Sequence, residues 1–276
     1  MDGMGEVIMK QKLTEANSEQ EDIQARYTIN SIDKAMDVIE VLSEYGSLSL
    51  IDLASLVKQP KSSLFRIILT LEKRGFIGRS ETDGKYCLGL KHLVITKNLL
   101  ERNTLRTSSL QEMHKLVDKY GDTVNLCVFL EGEVLYAEII EGTYALRMSD
   151  QVGSKAPLHA TATGKAFAAS LPEEEVRSLL DQKGLDSYTP NTIISVQRFL
   201  QELSIIREKG YSIDDQEIVW GARCIAAPIF NMFGLVEGAI SLSGAMHRFP
   251  DDQLAAIAED VKAAAYAISM KLGYTL

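Results

Sequence analysis

The chain has 276 residues, of which 46% are hydrophobic and 24% charged, and a formal net charge of -9. That composition excludes a largely disordered chain, the length suffices for two domains each with its own core, and an acidic average disfavours nucleic acid unless cations are gathered locally. No apolar run approaches the roughly 20 residues of a membrane span, the N-terminus lacks the pattern of a secretory signal, and Cys87, Cys127 and Cys224 stand singly, so a cytoplasmic protein without a disulfide framework is expected.

Residues 1–25 carry many polar side chains with few regularly spaced apolar positions, and are expected to form a mobile tail. From Ser31 to Tyr45, Ile32, Ala35, Met36, Val38, Ile39 and Leu42 recur at spacings of three and four, the stripe of a helix packed on a core, and Gly46 ends it. Ser49 opens a short second helix as its N-cap, with Leu53, Leu56 and Val57 as its apolar side, and Pro60 closes it. The spacing predicts a third helix over 61–73, where Leu64, Ile67, Ile68 and Leu71 share a face. The stretch FIGRSETDGKYCLGL then flanks Asp83-Gly84, a strong hairpin signal. Three helices and a hairpin make a winged helix-turn-helix over 26–89. A further helix leads away from that small core, so 90–104 is expected to be a linker helix.

Residues 105–276 change character. Two β-rich runs, 124–130 and 134–140, flank Glu131-Gly132-Glu133 as an antiparallel hairpin. Further strands are expected near 144–149, 211–214, 224–230 and 235–243, with helices near 105–120, 161–170, 172–182, 195–209 and 250–272. The region is α+β, with helices packed on an antiparallel sheet.

The charge is segregated. Residues 58–91 hold eight lysines and arginines against three acids, a local balance of +5, whereas 21–57 hold two against seven, a balance of -5. On the third helix Lys61, Ser62, Ser63, Arg66, Thr70 and Lys73 lie off the apolar face, which gathers hydroxyls and cations on one side. The second helix of a helix-turn-helix enters the major groove with its N-terminal residues, where the helix dipole favours phosphate and serine and arginine reach base edges. Arg79 and Lys85 flank the turn of the hairpin, where a wing meets phosphate or the minor groove. The competing reading is a solvated basic helix of a protein-binding module. Phe65, beside the apolar stripe, is expected to pack under the wing.

The stretch SIDKAMDVIEVLSEYGSLSLIDLASLVKQPKSSLFRIILTLEKRGFIGRSETDGKYCLG resembles the winged-helix domain of IclR-family transcriptional regulators. PLHATATGKAFAASLPEEEV and REKGYSIDDQEIVWGARCIAAPIFNMFGLVEGAISLSG resemble the family's GAF-like effector-binding domain, so the likeness runs over about residues 27–276. It implies a DNA-binding regulator, a repressor of a catabolic operon, that associates into dimers or tetramers and senses a small organic or sugar acid. The resemblance also carries over an effector pocket built from Ala162, Thr163, Asp214, Cys224, Ser241 and Ser243, with Ala145, Ala156 and Ala222 as small residues that leave room for the ligand. These residues fit that use chemically. A helix beginning near Thr161 would offer the N–H groups of Ala162 and Thr163 to a carboxylate, Ser241 and Ser243 share one face of a strand, Asp214 accepts from a hydroxyl, and Cys224 gives a polarizable wall. The alternatives are ordinary strand hydroxyls, a buried inert thiol and a turn-capping aspartate.

Two rival functions remain open on sequence alone. Cys224 as nucleophile with His159 as base would make a cysteine-dependent hydrolase; no nucleophile-elbow pattern accompanies them. A pure interaction module without DNA binding is the other. Gly164-Lys165 lacks the glycine that a P-loop needs five residues earlier, where His159 stands. The isolated histidines 92, 114, 159 and 247 show no ligand spacing, so neither metal nor cofactor is expected.

Overall fold

A computed structural model describes residues 28–80, 82–102, 104–148 and 150–275; the tail expected over 1–25 lies outside the described residues. The chain falls into two compact units that divide between residues 99 and 100.

The first unit contains helix α1 (Asn30–Tyr45), strand β1 (Ser47–Leu48), helices α2 (Leu50–Leu56) and α3 (Lys61–Lys73), and strands β2 (Ile77–Arg79) and β3 (Tyr86–Leu88). Ser49 caps α2, its hydroxyl oxygen accepting from the Asp52 N–H. Pro60 precedes α3 in extended conformation and its carbonyl accepts from Leu64, as suits a residue that ends one helix and opens the next. Val38, Leu42, Leu53, Leu64, Ile68, Leu71, Ile77 and Tyr86 form the core, under a three-stranded antiparallel sheet in the order β1-β3-β2. This is the winged helix-turn-helix that the sequence leads one to expect, with β1 as a short addition. Helix α4 (Lys91–Arg102) follows, and His92 bonds the Phe76 carbonyl at 2.9 Å.

The second unit opens with α5 (Thr104–Tyr120) and the hairpin β4 (Thr123–Leu130) and β5 (Glu133–Ile140). Strand β6 (Lys155–Ala156), helices α6 (Ala162–Ser170), α7 (Glu173–Lys183) and α8 (Val196–Lys209), strands β7 (Ser212–Asp215), β8 (Ala222–Phe230) and β9 (Val236–Ala245), and helix α9 (Asp251–Lys271) follow. The six strands form one antiparallel sheet in the order β6-β5-β4-β9-β8-β7. Strand side chains alternate between faces, and each face has its own core. Val124, Leu126, Ile225, Ile229, Ile240 and Leu242 pack with residues of α5 and α9. Cys127, Cys224, Ala226 and Ala239 pack with α6, α7 and α8.

Three expectations need correction. No strand forms over 144–148: the Arg248 guanidinium lies 4.4 Å from the Tyr144 ring centroid and bonds the Leu146 carbonyl, so side-chain contacts serve a segment that the alternation suggested would join a ladder. Phe65 is 41% exposed on α3 and does not pack under the wing. Ile32 and Met36 are likewise exposed, because α1 buries Val38 and Leu42 and turns its N-terminal half along the rim of a groove of about 810 Å³ shared with Ile67 and Phe76.

Leu64 is fully buried where α3 meets its unit's core. Leu64→Ala is expected to lower the unfolding free energy by about 2–5 kcal/mol, measured by urea denaturation followed through helical circular dichroism.

Candidate functional site

Helix α3 has one buried and one exposed side. Leu64, Ile68 and Leu71 are buried and Ile67 is half-buried, while Lys61, Ser62, Ser63, Arg66, Thr70 and Lys73 are all exposed. The hydroxyl of Thr70 donates back to the Arg66 carbonyl at 2.9 Å, so its hydrogen is already used. The Arg66 guanidinium and the Lys61 and Lys73 ammonium groups carry no hydrogen bond or ion pair among the described residues. The hairpin cations are more constrained. Arg79 donates to the Gly84 carbonyl at 3.0 Å and its guanidinium lies over the Tyr86 ring; Lys85 pairs with Asp83 at 3.2 Å. Both pairings are solvent-exposed and therefore weak enough to exchange for phosphate.

The second site is a pocket of about 190 Å³ on the α6 side of the large sheet. Strand register builds its floor. Asp214 on β7 pairs with Cys224 on β8, and Cys224 with Ser243 on β9, so the three form a row across adjacent strands. Ser241 lies two residues before Ser243 on the same face. Helix α6 covers the row. Thr161 caps it, accepting from Gly164 at 3.1 Å and donating to the Pro157 carbonyl at 2.9 Å, while the first N–H groups of a helix have no intrahelical partner. A side chain at Gly164 would place its Cβ 2.2 Å from the Leu158 carbonyl oxygen, which explains this glycine without any phosphate.

Of the residues that the sequence singles out, Ala156, Ala162, Thr163, Asp214, Cys224, Ser241 and Ser243 line this pocket. Ala145 and Ala222 do not. Ala145 lies in the exposed irregular stretch after β5, and Ala222 sits at the start of β8 opposite Ala245, beyond the Cys224–Ser243 pair. The pocket also includes Tyr136, Asp150 and Ser154, which sequence reasoning missed. Tyr136 is a lone aromatic on β5 opposite Cys127, and strand alternation offers a signal for it. Asp150 comes from an irregular segment with no periodicity to mark it.

Asp214 combines two roles that looked like alternatives. It lines the pocket, and its Oδ1 accepts from the Glu217 N–H at 2.7 Å, which folds the 216–221 loop over the site through a left-handed Gln216. Burial pushes its carboxyl up to about 7, opposed by the Glu217 backbone bond. Asp150 is also raised by burial, opposed by Tyr136. Behind the loop, the Lys165 ammonium bonds the Glu217 carboxylate and lies 3.9 Å from Glu202. Lys155, a lysine lining the pocket, pairs with Glu131 at 2.8 Å.

The hydrolase arrangement is not assembled. His159 bonds the Asp186 carbonyl at 2.9 Å beside Tyr188, in a separate hollow from Cys224. Burial, with Asp214 nearby, pushes the Cys224 thiol well up, opposite to what a thiolate nucleophile needs. Among the described residues no group of three His, Cys, Asp or Glu is placed to hold a metal, and no helix is long and apolar enough to cross a membrane.

Comparison with known proteins covers both parts of the chain. Residues 31–81 match the IclR helix-turn-helix domain and residues 97–270 the bacterial transcriptional regulator IclR C-terminal domain. The chain is 32% identical over 248 residues to the transcriptional repressor IclR of Escherichia coli (strain K12), covering 89% of this chain and 90% of that one. It is 34% identical over 245 residues to the HTH-type transcriptional regulator KipR of Bacillus subtilis (strain 168), covering 89% and 98%. The crystal structure of the Thermotoga maritima IclR superposes with a TM-score of 0.70 at 29% identity, covering 90% of this chain and all of that one. The chain belongs to the IclR family, and is a DNA-binding transcriptional regulator with a C-terminal effector domain rather than an enzyme.

Proposed function

We propose that this protein is a cytoplasmic repressor of a catabolic operon, released or retained by a small organic or sugar acid. The observation that carries the DNA half is that α3 buries Leu64, Ile68 and Leu71 and exposes a concentration of hydroxyls and cations, alongside Phe65 and Leu69. Lys61, Ser62, Ser63 and Arg66 enter the major groove, Thr70 and Lys73 follow along the helix, and Arg79 and Lys85 take flanking phosphate. The Escherichia coli relative is a repressor by name, which supports the same sign here.

Self-association into dimers or tetramers presents two α3 helices to a pseudo-palindromic operator. Exposed Ile32 and Met36 on α1 and Leu93 and Val94 on α4 support such a surface. The effector carboxylate sits at the N-terminus of α6 and at Ser241 and Ser243. Its hydroxyls donate toward Asp214 and Asp150, whose charged forms only accept. An acid that binds one arrangement of the protein better than the other shifts the DNA-competent population, with coupling carried through residues 90–104.

Three measurements test this reading. Arg66→Ala is expected to weaken binding to a promoter DNA retarded by the wild type by about tenfold or more while leaving thermal stabilisation by acids unchanged; unaltered retardation would remove α3 from the groove. Wild-type affinity for that DNA falls steeply with added salt, since phosphate contacts release counterions, and salt-independent binding would favour the interaction module. A thermal-shift screen with pyruvate, gluconate and 4-hydroxybenzoate reads the pocket, because a ligand bound to the folded state raises its melting temperature.

The pocket carboxyl gives a pH signature. Asp214 has a folded pKa of about 7, above the ordinary value of about 3.9, so the folded state binds more protons between those limits. Its contribution is fully present below pH ~4 and is lost as pH rises through ~7. Asp214→Asn keeps an oxygen for the Glu217 N–H and removes the titration. It is expected to melt higher than the wild type at pH 8 and within about one degree of it at pH 4 to 5, measured by calorimetry across that range.

A further inference from the structure

One polar side chain of the large sheet stands behind the pocket instead of in its wall. Asn125 lies on β4 opposite Ser241 in the β4–β9 register and is 1% exposed. Its Nδ2 is 3.2 Å from Ser241 Oγ and 3.2 Å from Ser243 Oγ. The amide is assigned with its nitrogen toward the serines, and its Oδ1 has no partner among the described residues.

The consequence follows from the inventory of donors and acceptors. An amide nitrogen carries two hydrogens, one for each serine, and a hydroxyl that accepts from it keeps its own hydrogen to give elsewhere. The row neighbour of Ser243 is Cys224, whose sulfur accepts weakly and yields to an incoming oxygen. Ser241 and Ser243 both line the cavity, so their two hydrogens are available on the ligand side. This matters because the same cavity holds Asp150 and Asp214. If the serines faced the ligand as acceptors, that wall and the carboxylates together would repel any acid.

We propose that Asn125 is a positioning residue that holds Ser241 and Ser243 as paired hydrogen donors toward a carboxylate or carbonyl oxygen of the effector. The assignment rests on the reading of this pocket as the effector site. It also defines the ligand at that end: an acceptor oxygen is required there, and a hydroxyl or amine in its place binds more weakly because the serine hydrogens then meet a poorer acceptor.

The test uses the full chain and isothermal titration with pyruvate, gluconate and 4-hydroxybenzoate. Asn125→Asp puts an acceptor where the amide donates, so the serines turn their hydrogens inward. Binding of whichever acid the wild type takes is expected to weaken by at least about tenfold at pH 8. The ratio of variant to wild-type affinity is expected to recover as pH falls and the introduced carboxyl takes up a proton, at a pH raised by burial. The melting temperature of the unliganded variant over the same pH range separates the two causes: a fold loosened by the buried charge melts lower in step with the lost affinity, whereas a positioning effect weakens binding beyond what that loss of stability accounts for.

Asn125→Ala, which only removes atoms, is the second variant and serves if the first does not fold. A loss of about five- to tenfold is expected, and a markedly smaller one in a Ser241→Ala background, because the two residues act as one unit. Affinity in Asn125→Asp equal to wild type at every pH, or additive losses for Asn125→Ala and Ser241→Ala, would overturn the positioning role while leaving the pocket reading intact. Binding of none of the three acids by the wild type would overturn the pocket reading and the role of Asn125 with it.

Discussion

The effector-domain architecture turns on a charge that water never reaches. Lys165 is 1% exposed, and an ammonium so deep in a protein requires a counter-charge, since leaving it unpaired costs several kcal/mol. Glu217 supplies the counter-charge, and everything around Glu217 follows from that demand. Its carbonyl accepts from Thr189 and Thr192, and its N–H goes to Asp214. The 216–221 loop is thereby drawn against α6, and Ile218 and Val219 close one side of the pocket. The ion pair is no source of net stability by itself. It fixes where the helix N-terminus, the loop and Asp214 stand relative to one another.

The DNA-binding unit depends on a different separation, between what α3 buries and what it leaves out. The helix spends Leu64, Ile68 and Leu71 on the core, and its exposed surface carries cations and hydroxyls beside Phe65 and Leu69 in a chain that is acidic elsewhere. On the proposed reading, segregation makes the approach of DNA directional: the acidic α1 surface repels the polyanion and the α3 and hairpin surface attracts it. Thr70 shows that not every hydroxyl on the exposed face has the same standing. Its hydrogen is held by the Arg66 carbonyl, which leaves Lys61, Ser62, Ser63 and Arg66 as the groups with donors uncommitted among the described residues at the N-terminal end of the helix.

What could be read in the sequence divides along physical lines. Local signals were sufficient where structure is decided locally: Ser49 as a cap, Pro60 between two helices, the 61–73 stripe and the β4–β5 turn all lie where periodicity and turn chemistry put them. They failed where tertiary contacts decide. The alternation of Tyr144, Leu146 and Met148 mimics a strand, but Arg248, far along the chain, takes the ring of one and the carbonyl of another. Ile32 and Met36 obey the helical period yet face outward, since periodicity says which residues share a face and not how far the core extends along it. In the pocket, residues on regular strands and the α6 terminus were legible. Asp150 was not, because an irregular segment brings it in, and Asn125 was not, because its contacts to Ser241 and Ser243 form only across the β4–β9 pairing.

The cavity itself has a simple origin in side-chain size. The large sheet is covered on both faces, and its two faces are filled differently. Toward α5 and α9 the strands present Val124, Leu126, Ile225, Ile229, Ile240 and Leu242. Toward α6 they present Cys127, Cys224, Ala226, Ala239, Ser241 and Ser243, and α6 answers with Ala162 and Ala166. Branched aliphatic side chains can fill the roughly 10 Å between packed layers, whereas alanine, serine and cysteine cannot when they meet alanines from the other side. The shortfall gathers at the end where α6 begins, because Phe167 and Phe199, both fully buried, occupy the space deeper in. A polar floor, a helix N-terminus and missing volume therefore coincide at one place, and the strand sequence ARCIAAPIF encodes both the tight packing of one face and the open site on the other.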